Sequence, residues 1–173
     1  MGEEQGVSSG PGGTQTSNAT WSTPELLWPT VGHAEGETQL NAFDNALVTA
    51  GIGHLNLVRV TSIAPPGALV VDEPLSIEAG TLVPVVLASI SSEKVGESIC
   101  SCIGIGLNAN GHGMIMEHSG AGSASEFEGI VGNMVRAAMA RRGLAADRIA
   151  LRSVAHTVER AGSCVAAVVL WWR

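Results

Sequence analysis

The chain has 173 residues, enough for one domain with a real core and too few for two ordinary ones. Charged residues are only 14% against about 25% in an ordinary soluble domain, and 45% are hydrophobic. That balance favours a protomer burying flat apolar surface in a homo-oligomer over a Gly-rich monomer. The net charge of −7, with Lys94 the one lysine and no basic run, excludes a surface that tracks a phosphate backbone, so no nucleic-acid partner is expected. No apolar stretch reaches the roughly 18 residues of a membrane span, and no charged-then-apolar leader opens the chain. Cys100, Cys102 and Cys164 sit in apolar runs and read as small core residues. A reducing, cytoplasmic setting is expected, with no membrane partner.

Residues 1–20 are almost free of apolar side chains and read as a disordered tail. The segment from Trp21 to Pro29 carries Trp21, Leu26, Leu27 and Trp28, which suit a small docked clasp. Residues 1–30 are therefore expected as a disordered or loosely docked tail, and 31–173 as a single domain. Thr38 can cap a helix with Leu40, Phe43 and Leu47 on one face, ending at Gly51. LNLVRV (55–60) is β-rich, and the turn-like IAPPG (63–67) follows. VPVVLASI (83–90), SICSCIGIGL (98–107) and HGMIMEH (112–118) read as strands, with Gly104 and Gly106 where side chains are unwanted. Ser123 and Glu126 form a capping box before a helix carrying Phe127, Ile130, Met134, Val135 and Ala138, closed by Gly143. Strands over 149–154 and 164–172 complete the set. The expected class is α+β, a layered sandwich of mainly antiparallel sheets flanked by helices.

Three positions sit awkwardly with pure packing. Asp44 lies four residues after Leu40 and three before Leu47, on the face expected to be buried; it either reaches water at the stripe's edge or needs a cationic partner. Glu117 ends the run Met114-Ile115-Met116, and either surfaces into the next loop or sits in a dry pocket that raises its pKa, which suits a proton donor. Thr61-Ser62 ends a strand before two prolines, which on pattern alone is an ordinary turn. Other motifs are weak. Gly51-Ile52-Gly53 lacks the preceding strand of a dinucleotide loop; His112 and His118 read as loop or surface histidines without a third ligand; His156 suits a satisfied structural role. No metal site is expected. Lys94 lies in a polar loop, which disfavours a Schiff base to pyridoxal phosphate.

Four segments together resemble the pyruvoyl-dependent arginine decarboxylases: EGETQLNAFDNALVTAGIGHLNLVRVTSIAPPGA (35–68), GMIMEHSG (113–120), MARRG (139–143) and VAHTVERAGSCVAAVVLWW (154–172). The resemblance runs from about Val31 to the C-terminus, and its first block is the most specific. It implies autocatalytic cleavage between Thr61 and Ser62 into residues 1–61 and 62–173, with Ser62 becoming a pyruvoyl cofactor. It assigns proton donation to Glu117, assistance in processing or pyruvoyl orientation to Asn56, and capture of the substrate guanidinium to Asp44. Leu47 and Ile63 would line the aliphatic part of the pocket. The implied product of arginine is agmatine with release of CO2, and the implied assembly is a trimer or dimer of trimers with sites between subunits. Members of the family commonly carry serine where this chain has Thr61; the hydroxyl is retained. Two alternatives stay open: the same chemistry on another amino acid, since substrate choice hangs largely on Asp44, and an unprocessed, non-catalytic oligomeric homologue that binds a ligand.

Overall fold

A computed structural model describes residues 22–173. Residues 1–20, expected as a disordered tail, lie outside the described residues, as does Trp21. In chain order the elements are β1 (Leu26–Glu35), α1 (Gln39–Thr49), β2 (Asn56–Arg59), β3 (Ile63–Ala64), β4 (Leu69–Val70), β5 (Leu82–Ser92), β6 (Ser98–Leu107), β7 (Gly113–Ala121), α2 (Ala124–Ala140), β8 (Arg148–Thr157) and β9 (Gly162–Trp171). They form a five-stranded sheet, β2-β5-β9-β1-β4, and a four-stranded sheet, β3-β7-β6-β8. All pairings are antiparallel except β1–β4 and β2–β5. The α+β layered sandwich expected from the sequence is the architecture found.

Three apolar layers hold it. Between the sheets, Leu27, Val86, Ala166 and Val168 of the larger sheet meet Ile103, Ile105 and Ile115 of the smaller one. On the outer face of the larger sheet, Trp28, Val85, Val165, Ala167 and Val169 pack on Ala46 and Ala50 at α1. On the outer face of the smaller sheet, Cys100, Cys102 and Met114 pack on Phe127, Val131, Val135 and Met139 of α2. β9 is buried on both faces, which is why its sequence is one continuous apolar run rather than an alternation. Each such Val, Ile or Leu contributes about 1.5–3 kcal/mol over leaving it in water. The three cysteines are free and buried, and burial, foremost, pushes the thiols of Cys102 and Cys164 up to about 12.

Both helix starts follow the sequence. The Thr38 side chain accepts from the Asn41 N–H (3.2 Å), and that of Ser123 from the Glu126 N–H (3.3 Å). Gly104 and Gly106 let α2 lie against β6: a Cβ on Gly106 would come 2.4 Å from Val135 Cγ1.

Four expectations need correcting. The segment before residue 31 is no clasp: β1 begins at Leu26, lies between β9 and β4, and buries Leu27 and Trp28. The buried stripe of α1 is Ala42 and Ala46; Phe43 and Leu47 are half-buried, Leu40 is 76% exposed and Asp44 faces outward. The reason is close approach to β1, where a Cβ on Gly32 would sit 2.3 Å from the Ala46 carbonyl oxygen, so only small helix residues fit beneath. His118 is a half-buried strand residue, not a loop one, with its ring 4.6 Å from that of Phe127. Leu82 extends β5 one residue before the expected start, and Ser91 and Ser92 carry it past Ile90.

Candidate functional site

Ser62 occupies the point where the chain leaves one sheet for the other. The β2–β5 ladder continues to a hydrogen bond from Val60 N–H to the Val85 carbonyl (3.0 Å). Three residues later, β3 pairs Ile63 with Met114 and Ala64 with Gly113 of β7. Between these ladders the Ile63 N–H donates to the Thr61 carbonyl (3.1 Å), a three-residue turn with half-buried Ser62 at its apex. The Ser62 carbonyl accepts from the Ile115 N–H at 2.7 Å. Its hydroxyl has no hydrogen-bond partner among the described residues.

The Pro-Pro segment locks this exit. Ala68 N–H donates to the Pro65 carbonyl (3.2 Å) across Pro66 and Gly67, with Gly67 at φ 73°. Proline then glycine at the two central positions is the chemistry of a type II turn, whose third residue needs positive φ. No non-glycine residue among those described has positive φ.

Glu117 lies on the same strand as the Ser62 anchor. It is two residues beyond Ile115, about 7 Å along β7 on the same face, and pairs with Ile103 of β6. It is half-buried, and no hydrogen bond or ion pair holds its carboxyl among the described residues. Burial pushes the carboxyl above the usual carboxylate range, and the positive charge of Arg59 pulls it part of the way back. β7 is fixed over β5 by Ser119, whose hydroxyl donates to the Ser89 carbonyl (3.0 Å). The structure thus anchors the Ser62 carbonyl on the strand that carries Glu117.

Of the other predicted residues, Thr61 and Ile63 flank Ser62, while Asn56, Asp44 and Leu47 lie apart from it within one chain. Asn56 opens β2, the length of that strand away from Ser62, and its amide donates to the Gly80 carbonyl (2.6 Å). Asp44 and Leu47 are on α1, Asp44 exposed and Leu47 packed at the edge of the α1 core. Thr61 is exposed, and Ile63 is 40% exposed. No group of three or more His, Cys, Asp or Glu poised for a metal occurs among the described residues, and no helix there is long and apolar enough to cross a membrane.

Two features were not foreseen. Arg59 donates through Nη2 to the Leu87 carbonyl, and its one sequence signal is being the lone charge between His54 and Asp72. Glu35, at the end of β1, accepts from the His156 ring (2.5 Å) and from the backbone N–H groups of Glu159, Arg160 and Ala161 (3.0, 3.0 and 2.8 Å). This cluster borders a cavity of about 490 Å³ at the start of α1 that contains none of the predicted site residues. The histidine is structural, as its sequence position suggested.

A carbonyl pinned to β7, an unpartnered serine hydroxyl beside it and a half-buried carboxyl pushed above the usual carboxylate range on the same strand suit chain cleavage followed by proton delivery. The family model for pyruvoyl-dependent arginine decarboxylase matches residues 27–172. A protein of that name from Methanocaldococcus jannaschii is 40% identical over 158 residues, covering 90% of this chain and 95% of its own. One from Pyrococcus abyssi is 39% identical over 155 residues, 88% of this chain and 98% of the relative. One from Methanococcus maripaludis is 34% identical over 162 residues, 92% and 98%. On this footing the chain belongs to the pyruvoyl-dependent arginine decarboxylase family.

Proposed function

We propose that this protein cuts itself between Thr61 and Ser62, carries a pyruvoyl group made from Ser62, and decarboxylates L-arginine to agmatine and CO2. The observation that carries this is the turn at Ser62: a free hydroxyl at its apex, with its carbonyl held on the strand that bears Glu117. The Ser62 oxygen adds to the Thr61 carbonyl carbon and the peptide C–N bond breaks, converting amide to ester. The Ile63 N–H on the Thr61 oxygen favours that attack by stabilising the charge that develops there. Loss of the Ser62 α-proton then expels the Thr61 carboxylate by β-elimination. Water converts the resulting dehydroalanine to the ketone, with ammonia leaving.

The fit of this chain to a pyruvoyl group rests on Ser62 having a β-oxygen and on Ile115 holding the carbonyl that would flank the ketone. When present, that group supplies an electron sink for cleaving the substrate's carboxyl carbon. Glu117, whose carboxyl burial pushes above the usual carboxylate range, is the proton donor to the carbon that CO2 leaves. The Asp44 carboxylate receives the guanidinium, two oxygens meeting a planar fork. Leu47 and Ile63 line the aliphatic part of the pocket, and Asn56 assists processing or orients the pyruvoyl carbonyl.

Because Asp44 and Asn56 lie apart from Ser62 in one chain, a second copy completes the site. Apolar side chains left in water near these residues support this: Leu40, Val48, Val58, Val60, Ile63 and Leu82, the last 60% exposed. The assembly is a trimer or a pair of trimers, working in the cytoplasm. Intact-mass analysis and an agmatine assay test the proposal together. Fragments of 61 and 112 residues, the latter blocked to Edman sequencing, with agmatine formed from arginine, are expected. A persistent uncut species with no CO2 released would overturn it.

A further inference from the structure

We infer that Arg59 is a positioning residue for Glu117, its guanidinium fixed at the crossing between the sheets so that its charge governs when that carboxyl holds a proton. The inference rests on Glu117 being the proton donor proposed above. β5 offers its edge carbonyls to β2 in turn: Val85 accepts from Val60 N–H at 3.0 Å. The next acceptor on that edge, Leu87, is left without a strand because the chain departs at Thr61 for the other sheet. The Arg59 side chain fills the vacancy, Nη2 donating to the Leu87 carbonyl. A guanidinium held this way cannot swing freely, and it stands beside the segment containing the Thr61–Ser62 bond.

The opposite wall is β7. Ser119 donates to the carbonyl of Ser89, two residues beyond Leu87 on β5, and Glu117 is two residues before Ser119 on β7. Both ladders therefore lead to one place, and Arg59 is the charge felt there by Glu117. The pair is not among the ion pairs within 4.0 Å, so it acts through the field rather than as a closed salt bridge. Other charges around Glu117 are differently placed. β5 carries no titratable side chain. Arg152 of β8 lies across Ile103 from Glu117 but is bridged to Asp72 (2.5 Å). His118 is turned to Phe127 of α2, and Glu128 of α2 accepts from Ser153 (2.5 Å). Cleavage before Ser62 would leave Arg59 and Glu117 on different fragments, so one piece would tune the acid on the other.

The test separates charge from capping. In the full uncut Ser62→Ala chain, labelled with 13C at glutamate carboxyls, the Glu117 signal is identified by its loss in Glu117→Gln. Arg59→Gln keeps a donor for Leu87 and removes the charge; Arg59→Lys keeps the charge. The Glu117 midpoint should rise in Arg59→Gln, overlay the parent in Arg59→Lys, and rise in the parent as salt is added. An unmoved midpoint in Arg59→Gln, or equal movement in both variants, would overturn the inference; should Arg59→Gln not fold, the salt titration and Arg59→Lys decide it. In the processed enzyme, the alkaline limb of kcat should follow the same order. If processed Glu117→Gln turns over like the parent, the proton-donor role fails instead, while the carboxyl titration still judges Arg59 on its own.

Discussion

The Ile115 N–H donates a 2.7 Å hydrogen bond to the Ser62 carbonyl, so the first peptide after the proposed cut is registered on the strand that carries Glu117 two residues on. On the proposed function, cleavage chemistry and proton delivery would share one element, so backbone changes to β7 should affect both.

Gly113 is the sharpest probe of that sharing. A Cβ there would meet the Gly106 carbonyl oxygen at 2.1 Å and the Ala64 Cβ at 3.1 Å, the first of which is backbone and cannot turn aside. Gly113→Ala should cost about 3 kcal/mol or more in denaturant unfolding. It should also slow cleavage, read by intact mass over time, because Ala64 is its partner in the β3–β7 ladder.

Glu117→Gln should still cut, yet lose about 100-fold or more in kcat. Its effect on stability has the opposite sign. Burial raises the folded-state pKa of Glu117 despite Arg59, so the native state binds the proton more tightly than the unfolded chain. Stability linked to this group is full below the ordinary carboxylate range and is lost as pH rises through the raised value. Glu117→Gln is therefore expected to melt above the parent at neutral pH, with the gap closing in acid. Melting curves across pH check this.

Glu35 should behave in reverse. Burial raises its carboxyl, but the Glu159 N–H, the His156 ring and the N–H groups of Arg160 and Ala161 outweigh that and leave it below the usual range. Its stabilisation is present above the unfolded pKa and fades as pH falls through the lowered value. Glu35→Gln should cost about 1–3 kcal/mol near neutrality, and less in acid, by chemical unfolding.

Asp44→Asn tests substrate choice. Losing a carboxylate that pairs a guanidinium should lower kcat/KM for arginine by about 2–4 kcal/mol, or roughly 30- to 1000-fold, with cleavage intact. Retained preference for arginine over a panel of amino acids would remove Asp44 from that role.

Local chemistry was the legible part of this fold. Thr38 and Ser123 announce their helices by capping, and Gly104 and Gly106 announce a helix lying on the strand. What escaped was set by other segments. Pro29 disguises β1, yet β4 pairs only with Leu26 and Leu27, so at Pro29 one side of the strand needs no donor. The stripe Leu40, Phe43 and Leu47 misplaced Asp44 because the backbone approaches α1 closely at Gly36 and Gly32, leaving room only for Ala42 and Ala46 beneath the helix. Arg59 was missed because its partner is a carbonyl 28 residues away.

The ten-residue register between β1 and β9, from Leu26 opposite Trp171 to Glu35 opposite Gly162, joins the two pieces that cleavage would create. β2 on β5 adds a second seam. A cut chain would then be a two-component complex whose folding is an association, with a melting temperature that rises with protein concentration as an uncut Ser62→Ala domain's would not on this account. Neither piece has a complete larger sheet without the other, so refolding after dilution would be second order, and the irreversible step in this molecule's life would be a gain of chemistry bought with the loss of chain connectivity.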